Sequence, residues 1–253
     1  MKPLPLFDLS GQVAVVTGAN TGIGQAIAIA LAASGADIVL VGRSAMTETR
    51  AEIAPLGRRI HEITADLAVI SSLSGVVDET MKVMGRIDIL VNNAGIIRRA
   101  DAIDYTEEDW DAVIDTNLKS LFFLSQAAGR HMLAQGAGKI INIASLLSFQ
   151  GGIRVPAYAA AKSGVAGLTR LLACEWANRG VNVNAIAPGY FATNNTHALR
   201  QDPKRDAEIL SRIPAGRWGN PTDIGGAAVF LASPASAYVN GVVLPVDGGW
   251  LAR

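Results

Sequence analysis

Gln12-Val-Ala-Val-Val-Thr17-Gly18-Ala-Asn-Thr-Gly22-Ile-Gly24-Gln25 passes from an unbroken apolar run straight into a glycine-rich turn. The helical pattern Ala26 to Ala33 follows and is ended by Gly35. A continuous apolar run is the signature of a strand buried on both faces of a parallel sheet. Strand, glycine turn and helix in that order set backbone N–H groups and a helix N-terminus against a pyrophosphate. The spacing is Gly-x3-Gly-x-Gly rather than the more common Gly-x-Gly-x2-Gly, so its setting carries the argument. Gly18, Asn20, Gly22, Ile23 and Gly24 are the candidate residues for the pyrophosphate, and the alternative is an ordinary αβ turn.

Further strands follow outward from this unit. Asp37-Ile-Val-Leu-Val41 ends in Gly42-Arg43-Ser44, where an NAD-binding unit would carry an acid for the ribose 2′-hydroxyl. Here the place is neutral and then basic. Arg43 suits a 2′-phosphate, so the coenzyme is expected to be NAD(H) or NADP(H) with a lean to NADP(H); a solvated arginine is the bland alternative. Asp66, after the run Arg59 to Ala65, is placed to accept from an adenine amino group, and equally to cap the next helix. Ile87 to Val91 runs into Asn92-Asn93-Ala94-Gly95, whose amides and glycine let the chain stay close to a nucleotide. Val181 to Ala187 alternates into Pro188-Gly189, and Gly241 to Val246 reads as a last strand. With helical patterns over Glu107 to Arg130, Tyr158 to about Asn178 and Pro221 to Leu231, this predicts a single α/β domain over 1–253, a doubly wound parallel sheet of seven strands. The polar, weakly patterned segment 190–217 is expected to be a substrate lid. His197 belongs to it rather than to a metal site, because no second histidine or carboxylate stands at ligand spacing; no metal is expected.

The chemistry is expected in Ser145-Leu-Leu-Ser-Phe-Gln-Gly-Gly-Ile-Arg-Val-Pro-Ala-Tyr-Ala-Ala-Ala-Lys162. Tyr158 and Lys162 are four apart across three alanines, so a helix brings phenol and ammonium to one face. An ammonium there favours the phenolate and is expected to pull the tyrosine pKa down towards neutrality. Ser145 ends the apolar run Lys139 to Ala144, where a rigid strand aims its hydroxyl at the same reacting oxygen. Asn117 is a poor helix former inside a helical pattern, which points to local unwinding that holds a water.

Half of the 253 residues are hydrophobic, enough for a sizeable core. Lysine plus arginine and aspartate plus glutamate both number 22, which gives no general case for nucleic acid or an anionic membrane. The start, Met1 to Asp8, is too short and proline-broken for a signal peptide, and no window has the apolar length of a membrane span. A lone Cys174 excludes an internal disulfide and a thiolate cluster. A cytoplasmic protein fits these features.

Thr17-Gly18-x3-Gly22-x-Gly24, Asn92-Asn-Ala-Gly95, Asn117, Ser145, Tyr158-x3-Lys162 and Pro188-Gly189 together resemble the classical short-chain dehydrogenases/reductases, in the family's order and over nearly the whole chain. The resemblance implies a Rossmann-like subunit, usually in a homotetramer, that transfers hydride with NAD(H) or NADP(H). It implies Tyr158 as general acid/base, Lys162 on the nicotinamide ribose, Ser145 on the substrate oxygen and Asn117 beside a relay water. It also places Gly18, Gly22 and Gly24 on the pyrophosphate, Asp66 at the adenine, Asn93 at the adenosine ribose and Thr193 at the carboxamide. Gly95, Pro188 and Gly189 complete the coenzyme set.

Outside these motifs, Gly95-Ile-Ile-Arg-Arg99, Ser145 to Pro156, Ala187 to Thr196, Arg212 to Gly219 and Val246 to Arg253 are similar to the group of family members that act on 2-dehydro-3-deoxy-D-gluconate and 2-deoxy-D-gluconate. The resemblance to enzymes that break down pectin-derived sugar acids implies NAD, and Val41-Gly-Arg-Ser44 departs from that. An anionic sugar-acid substrate needs a cation for its carboxylate. Arg154, between Ser145 and Tyr158 beside Gly151-Gly152, is the first candidate, and Arg98 and Arg99 are the alternatives. Two other functions compete: reduction of a 3-oxoacyl thioester, for which Arg98-Arg99 is the one short basic cluster, and a dinucleotide sensor without catalysis, against which Ser145, Tyr158 and Lys162 stand.

Overall fold

The computed structural model describes residues 4–253. The reading of the N-terminus as too short for a signal peptide falls partly on residues 1–3, outside them. Among the described residues seven strands form one parallel sheet: β1 Val13–Thr17, β2 Asp37–Gly42, β3 Ile60–Thr64, β4 Ile89–Asn92, β5 Gly138–Ile143, β6 Val181–Pro188 and β7 Val243–Val246. Their order is β3-β2-β1-β4-β5-β6-β7, so the winding reverses between β1 and β4. In open α/β sheets a crevice opens at that point, at the C-terminal strand ends. The central strand β1 is buried at every position, with Val15 level with Val39 on one side and Leu90 on the other. Its apolar alternates feed two different cores. Ala14 and Val16 pack with Ile27 and Leu31 of α1 (Gly22–Ala33) and Ala228 and Leu231 of α9 (Gly225–Ala232). Val13 and Val15 pack with Leu73 and Val77 of α3 (Ile70–Met84), Leu124 and Ala128 of α5 (Ser120–Gln135) and Leu172 of α6 (Pro156–Trp176).

Three segments differ from what periodicity predicts. The pattern from Glu107 to Arg130 is α4 (Glu107–Ile114), a π-turn at Asp115–Lys119, and then α5. Thr106 caps α4, its side chain accepting from Asp109 N at 3.1 Å, and three acids follow in the first turn, where the helix dipole favours them. Segment 190–217, expected as a weakly patterned lid, holds α7 (His197–Gln201) and α8 (Pro203–Leu210). Asp202 caps α8 by accepting from Lys204 N and Arg205 N at 3.0 and 3.2 Å, with Pro203 at the first position. Both helices are too short to complete the repeats on which a periodicity reading depends. The short α2 (Thr47–Ile53) also went unmarked, because it buries little more than Thr49 and Ile53. Among the described residues no helix is long and apolar enough to cross a membrane, and no group of three or more His, Cys, Asp or Glu is placed to hold a metal.

Candidate active site

A cavity of about 390 Å³ opens at the C-terminal end of the sheet, over the reversal between β1 and β4. One wall is the turn from Gly18 to Gly24. Gly18 and Gly22 have φ of +64° and +61°, which a side-chain-bearing residue adopts at a cost, and a Cβ on Gly18 would lie 2.8 Å from Asn93 Nδ2. Thr21, at the start of α1, makes no side-chain cap, so the first N–H groups of that helix are not taken by it. A bare backbone cradle at an uncapped helix N-terminus fits a pyrophosphate. Asn20 Nδ2 donates to Ser44 O and Oγ at 2.6 and 2.9 Å, which ties this turn to the loop that carries the exposed Arg43. Arg43, Asp66, Asn93, Gly95, Pro188, Gly189 and Thr193 all line the same cavity.

The facing wall comes from β5 and α6. Lys162, buried, sends Nζ to Ile143 O at 2.6 Å, and Nζ lies 5.5 Å from the centre of the Tyr158 ring. Ser145 stands two residues past the end of β5, and its Oγ accepts from Leu147 N at 3.2 Å. Ser148 Oγ donates to Lys162 O at 2.6 Å and Ser163 Oγ to Leu147 O at 3.2 Å, so the turn after Ser145 is fastened to the helix that carries Tyr158.

The family model described as Enoyl-(Acyl carrier protein) reductase matches residues 18–251. A 2-dehydro-3-deoxy-D-gluconate 5-dehydrogenase of Escherichia coli (strain K12) is 60% identical over 251 residues, 99% of each chain. The chain belongs to the short-chain dehydrogenase/reductase family. Among solved structures, a candidate 2-deoxy-D-gluconate 3-dehydrogenase from Agrobacterium tumefaciens with bound NADP is 58% identical, with a TM-score of 0.93 over 99% of this chain and 100% of that one. A gluconate 5-dehydrogenase from Burkholderia cenocepacia J2315, in complex with NADP and tartrate, is 40% identical, with a TM-score of 0.94 over 98% of each chain. As a member of this family the chain is an NAD(P)-dependent oxidoreductase acting on CH–OH groups.

In this short-chain dehydrogenase several expected residues behave differently from their sequence reading. Burial pushes the Tyr158 phenol up; the hydrogen-bonded Ser145 hydroxyl and the charge of Arg99 act the other way without prevailing. The lowering expected from Lys162 is not found: its ammonium is directed at Ile143 O, and burial pulls Lys162 itself down to about 8. Asn117 does sit in a widened turn, but its side chain is wholly engaged with one residue. Its Oδ1 accepts from Ile96 N at 2.8 Å and its Nδ2 donates to Ile96 O at 2.9 Å. Asp66 accepts from Ala68 N at 3.1 Å and does not cap α3, whose cap position is Val69.

The three candidate arginines part company. Arg154, the first choice for the substrate carboxylate, is not on the cavity wall; its Nε lies 3.0 Å from Asp101 Oδ1, outside. Arg98 is likewise turned to Asp109, at 3.4 Å. Arg99 is exposed and does not line the cavity either, but its Nη2 donates at 3.2 Å to the carbonyl of Asn195, which does, and its charge is felt at Tyr158. His197 is exposed.

Thr17, in the glycine-turn motif, has a structural task that the motif does not reveal. Its Oγ1 donates to Val91 O at 3.2 Å and accepts from Asn93 N and Ala94 N at 2.9 and 3.0 Å, so it joins β1 to the loop after β4. The available signal was a threonine closing an otherwise apolar strand. Asn93 Nδ2 meets Thr17 O and Gly18 O at 2.9 and 3.1 Å, so this side chain braces the glycine turn as well as facing the cavity. The Thr193–Thr196 capping box, which shapes the opposite rim, was also missed; Thr-x-x-Thr is too common a spacing to single out.

Proposed function

We propose that this enzyme transfers a hydride between NADP(H), or NAD(H) less well, and a carbonyl or secondary alcohol of a deoxy-keto sugar acid of the 2-dehydro-3-deoxy-D-gluconate or 2-deoxy-D-gluconate type. The observation that carries the reading is that Ser145, Tyr158 and Lys162 share one cavity with the glycine turn and Arg43. The names of the relatives at 60% and 58% identity support the substrate class, and NADP in two related structures supports the coenzyme. The nicotinamide, when bound, supplies the hydride acceptor for oxidation and the donor for reduction. Tyr158 Oη takes the hydroxyl proton as the alcohol carbon becomes a carbonyl, and returns it in the reverse direction. Ser145 holds the reacting oxygen beside that phenol, and Lys162 holds the ribose. Asn117 secures the loop at Ile96, and Asp66, Asn93 and Thr193 contribute to the nucleotide's two ends. Segment 190–217 is the substrate lid of the single domain 1–253. The proposal carries a homotetramer, which rests on the family resemblance, and a cytoplasmic setting, which rests on the composition and the lone Cys174.

Arg99 is the residue we assign to the substrate carboxylate, in place of Arg154 and Arg98, because its guanidinium is bonded to the carbonyl of Asn195, which lines the cavity, and its charge acts on Tyr158. With Arg98 paired to Asp109, the basic cluster wanted by a carrier-bound thioester is reduced to one residue. A panel of uronate-derived keto acids with NADH and NADPH, followed by absorbance, tests the substrate class. In Arg99→Ala the KM for the preferred acid should rise roughly tenfold or more, and that for its neutral amide should not, since a charge-assisted bond is lost. Equal changes for acid and amide would remove the sugar-acid reading.

A further inference from the structure

Arg154 is the one non-glycine residue with positive φ among the described residues, at +63°. A side-chain-bearing residue enters that left-handed region at a cost in free energy, and such residues persist where the surroundings demand the conformation. Gly151 and Gly152, three and two positions earlier, are free to adopt it and do not. The conformation therefore has its use at residue 154 itself.

That use is visible in what the residue touches. Arg154 O accepts from Ala100 N at 3.2 Å, and Arg154 Nε lies 3.0 Å from Asp101 Oδ1. Ala100 and Asp101 directly follow Arg99. On the other side of Arg99, Ile96 is held through both its N–H and its carbonyl by Asn117. The stretch from 97 to 101 has no helix or strand to support it, so Arg99 is suspended between these two clamps. The ion pair between the exposed side chains of Arg154 and Asp101 adds little, because solvent screens it. The backbone hydrogen bond depends on the left-handed turn and not on the guanidinium.

We infer that Arg154 is a positioning residue for substrate selection: its left-handed backbone presents a carbonyl to Ala100 and so aims Arg99 at the carboxylate of an anionic substrate and at the Tyr158 phenol. The inference rests on the carboxylate role proposed for Arg99. It ties the catalytic loop before Tyr158 to the loop that reads the substrate, so the acid/base and its anion reader are set by one contact.

The test compares three variants on 2-dehydro-3-deoxy-D-gluconate and its neutral amide. Arg154→Val, whose branched side chain opposes positive φ, should raise KM for the acid roughly fivefold or more, with the amide unmoved, as expected when a binding group is displaced. It should also move the Tyr158 limb of the kcat–pH profile upward, since Arg99 no longer favours the phenolate. Arg154→Gly, which adopts positive φ freely, should restore the parent's preference for acid over amide although it lacks the guanidinium. If Arg154→Val does not fold, Arg154→Ala takes its place in the comparison, with the same expected direction. Glycine and valine (or alanine) variants that behave alike, or parent-like values in both, overturn the inference. Arg99→Ala separates the two levels. If it fails to distinguish acid from amide, the carboxylate reading falls and this inference with it. If it does distinguish them and Arg154→Val does not, the positioning role alone is wrong.

Discussion

β5 carries a half-buried lysine near its start and ends over a buried one. Lys139 sits at the N-terminal end of the strand, where its Nζ meets Asn182 Oδ1 at 2.9 Å and Ser236 Oγ at 3.3 Å. Lys162 reaches the C-terminal end of the same strand, at Ile143 O. Burial brings both down to about 8, and among the described residues neither has a carboxylate partner at ion-pair distance. The surroundings differ instead: Lys162 faces a cavity with Tyr158, Ser145 and a glycine turn, while Lys139 faces neutral oxygens at the N-terminal end of the sheet, opposite the crevice. A displaced pKa thus records desolvation, and it becomes chemistry only where the fold adds a partner and room for a ligand.

The contrast predicts its largest effect at the partner. Tyr158→Phe should lower turnover roughly 10²–10⁴-fold, the worth of a positioned acid/base, with coenzyme affinity close to unchanged. Rates under saturating substrate and a coenzyme titration by fluorescence check both halves. Turnover within about tenfold of the parent would remove Tyr158 from the chemistry. Next comes the pair itself. Lys162→Met should depress turnover by roughly tenfold or more and weaken coenzyme binding, while Lys139→Met should leave both near the parent, because Lys139 touches neither reacting atoms nor cavity. Similar losses in the two variants would mean that the two ends of β5 are not functionally distinct.

Much of this was legible in the chain because its signals are local. A strand buried on both faces must be apolar throughout, and Val13 to Val16 are; Tyr158 and Lys162 lie one turn apart on a helix, and three alanines announce that helix. The cationic residues resisted reading for a related reason. Arg98, Arg99 and Arg154 are alike in composition and loop setting, and their fates depend on partners that only folding brings near: Asp109, Asn195 and Asp101 respectively. The direction of the Tyr158 shift was misread because spacing reveals a neighbouring ammonium but not the depth of burial that opposes it. Short helices α7 and α8 escaped because their stability comes from a cap at Asp202 and from Ile209 packing on Ile213 and Trp250, not from a long repeat.

A smaller effect is expected at the coenzyme's far end. Arg43 lines the cavity and is held there through the Asn20–Ser44 hydrogen bonds. Arg43→Asp replaces a partner for a 2′-phosphate with a group that repels it and accepts from a free 2′-hydroxyl. The ratio of kcat/KM for NADPH to that for NADH should fall by roughly tenfold or more, one charge-assisted contact being lost. An unmoved ratio would show that Arg43 is solvated and that the NADP(H) preference lies elsewhere.

The smallest effect is on stability, and it returns to the two lysines. For Lys139 the folded pKa of about 8 lies below the ordinary 10.5. Between those values the unfolded chain binds more protons than the folded one, so this group makes stability rise with pH across that window. Below about 8 the ammonium is charged in both states and the cost of burying it is present in full. Lys139→Met removes that cost, so its Tm relative to the parent should be higher at pH 7 than at pH 10.5, by about 2 °C. Lost hydrogen bonds to Asn182 and Ser236 offset part of the gain at every pH, which is why the change with pH is the measured quantity. Lys162→Met should show a change of the same sign, because its shift has the same cause. Thermal unfolding of parent and both variants across pH 7–10.5 decides the matter: a Tm difference that does not vary with pH in either variant would mean that burial does not penalise these ammonium groups, and the shared half of the comparison would fail while the catalytic half stood.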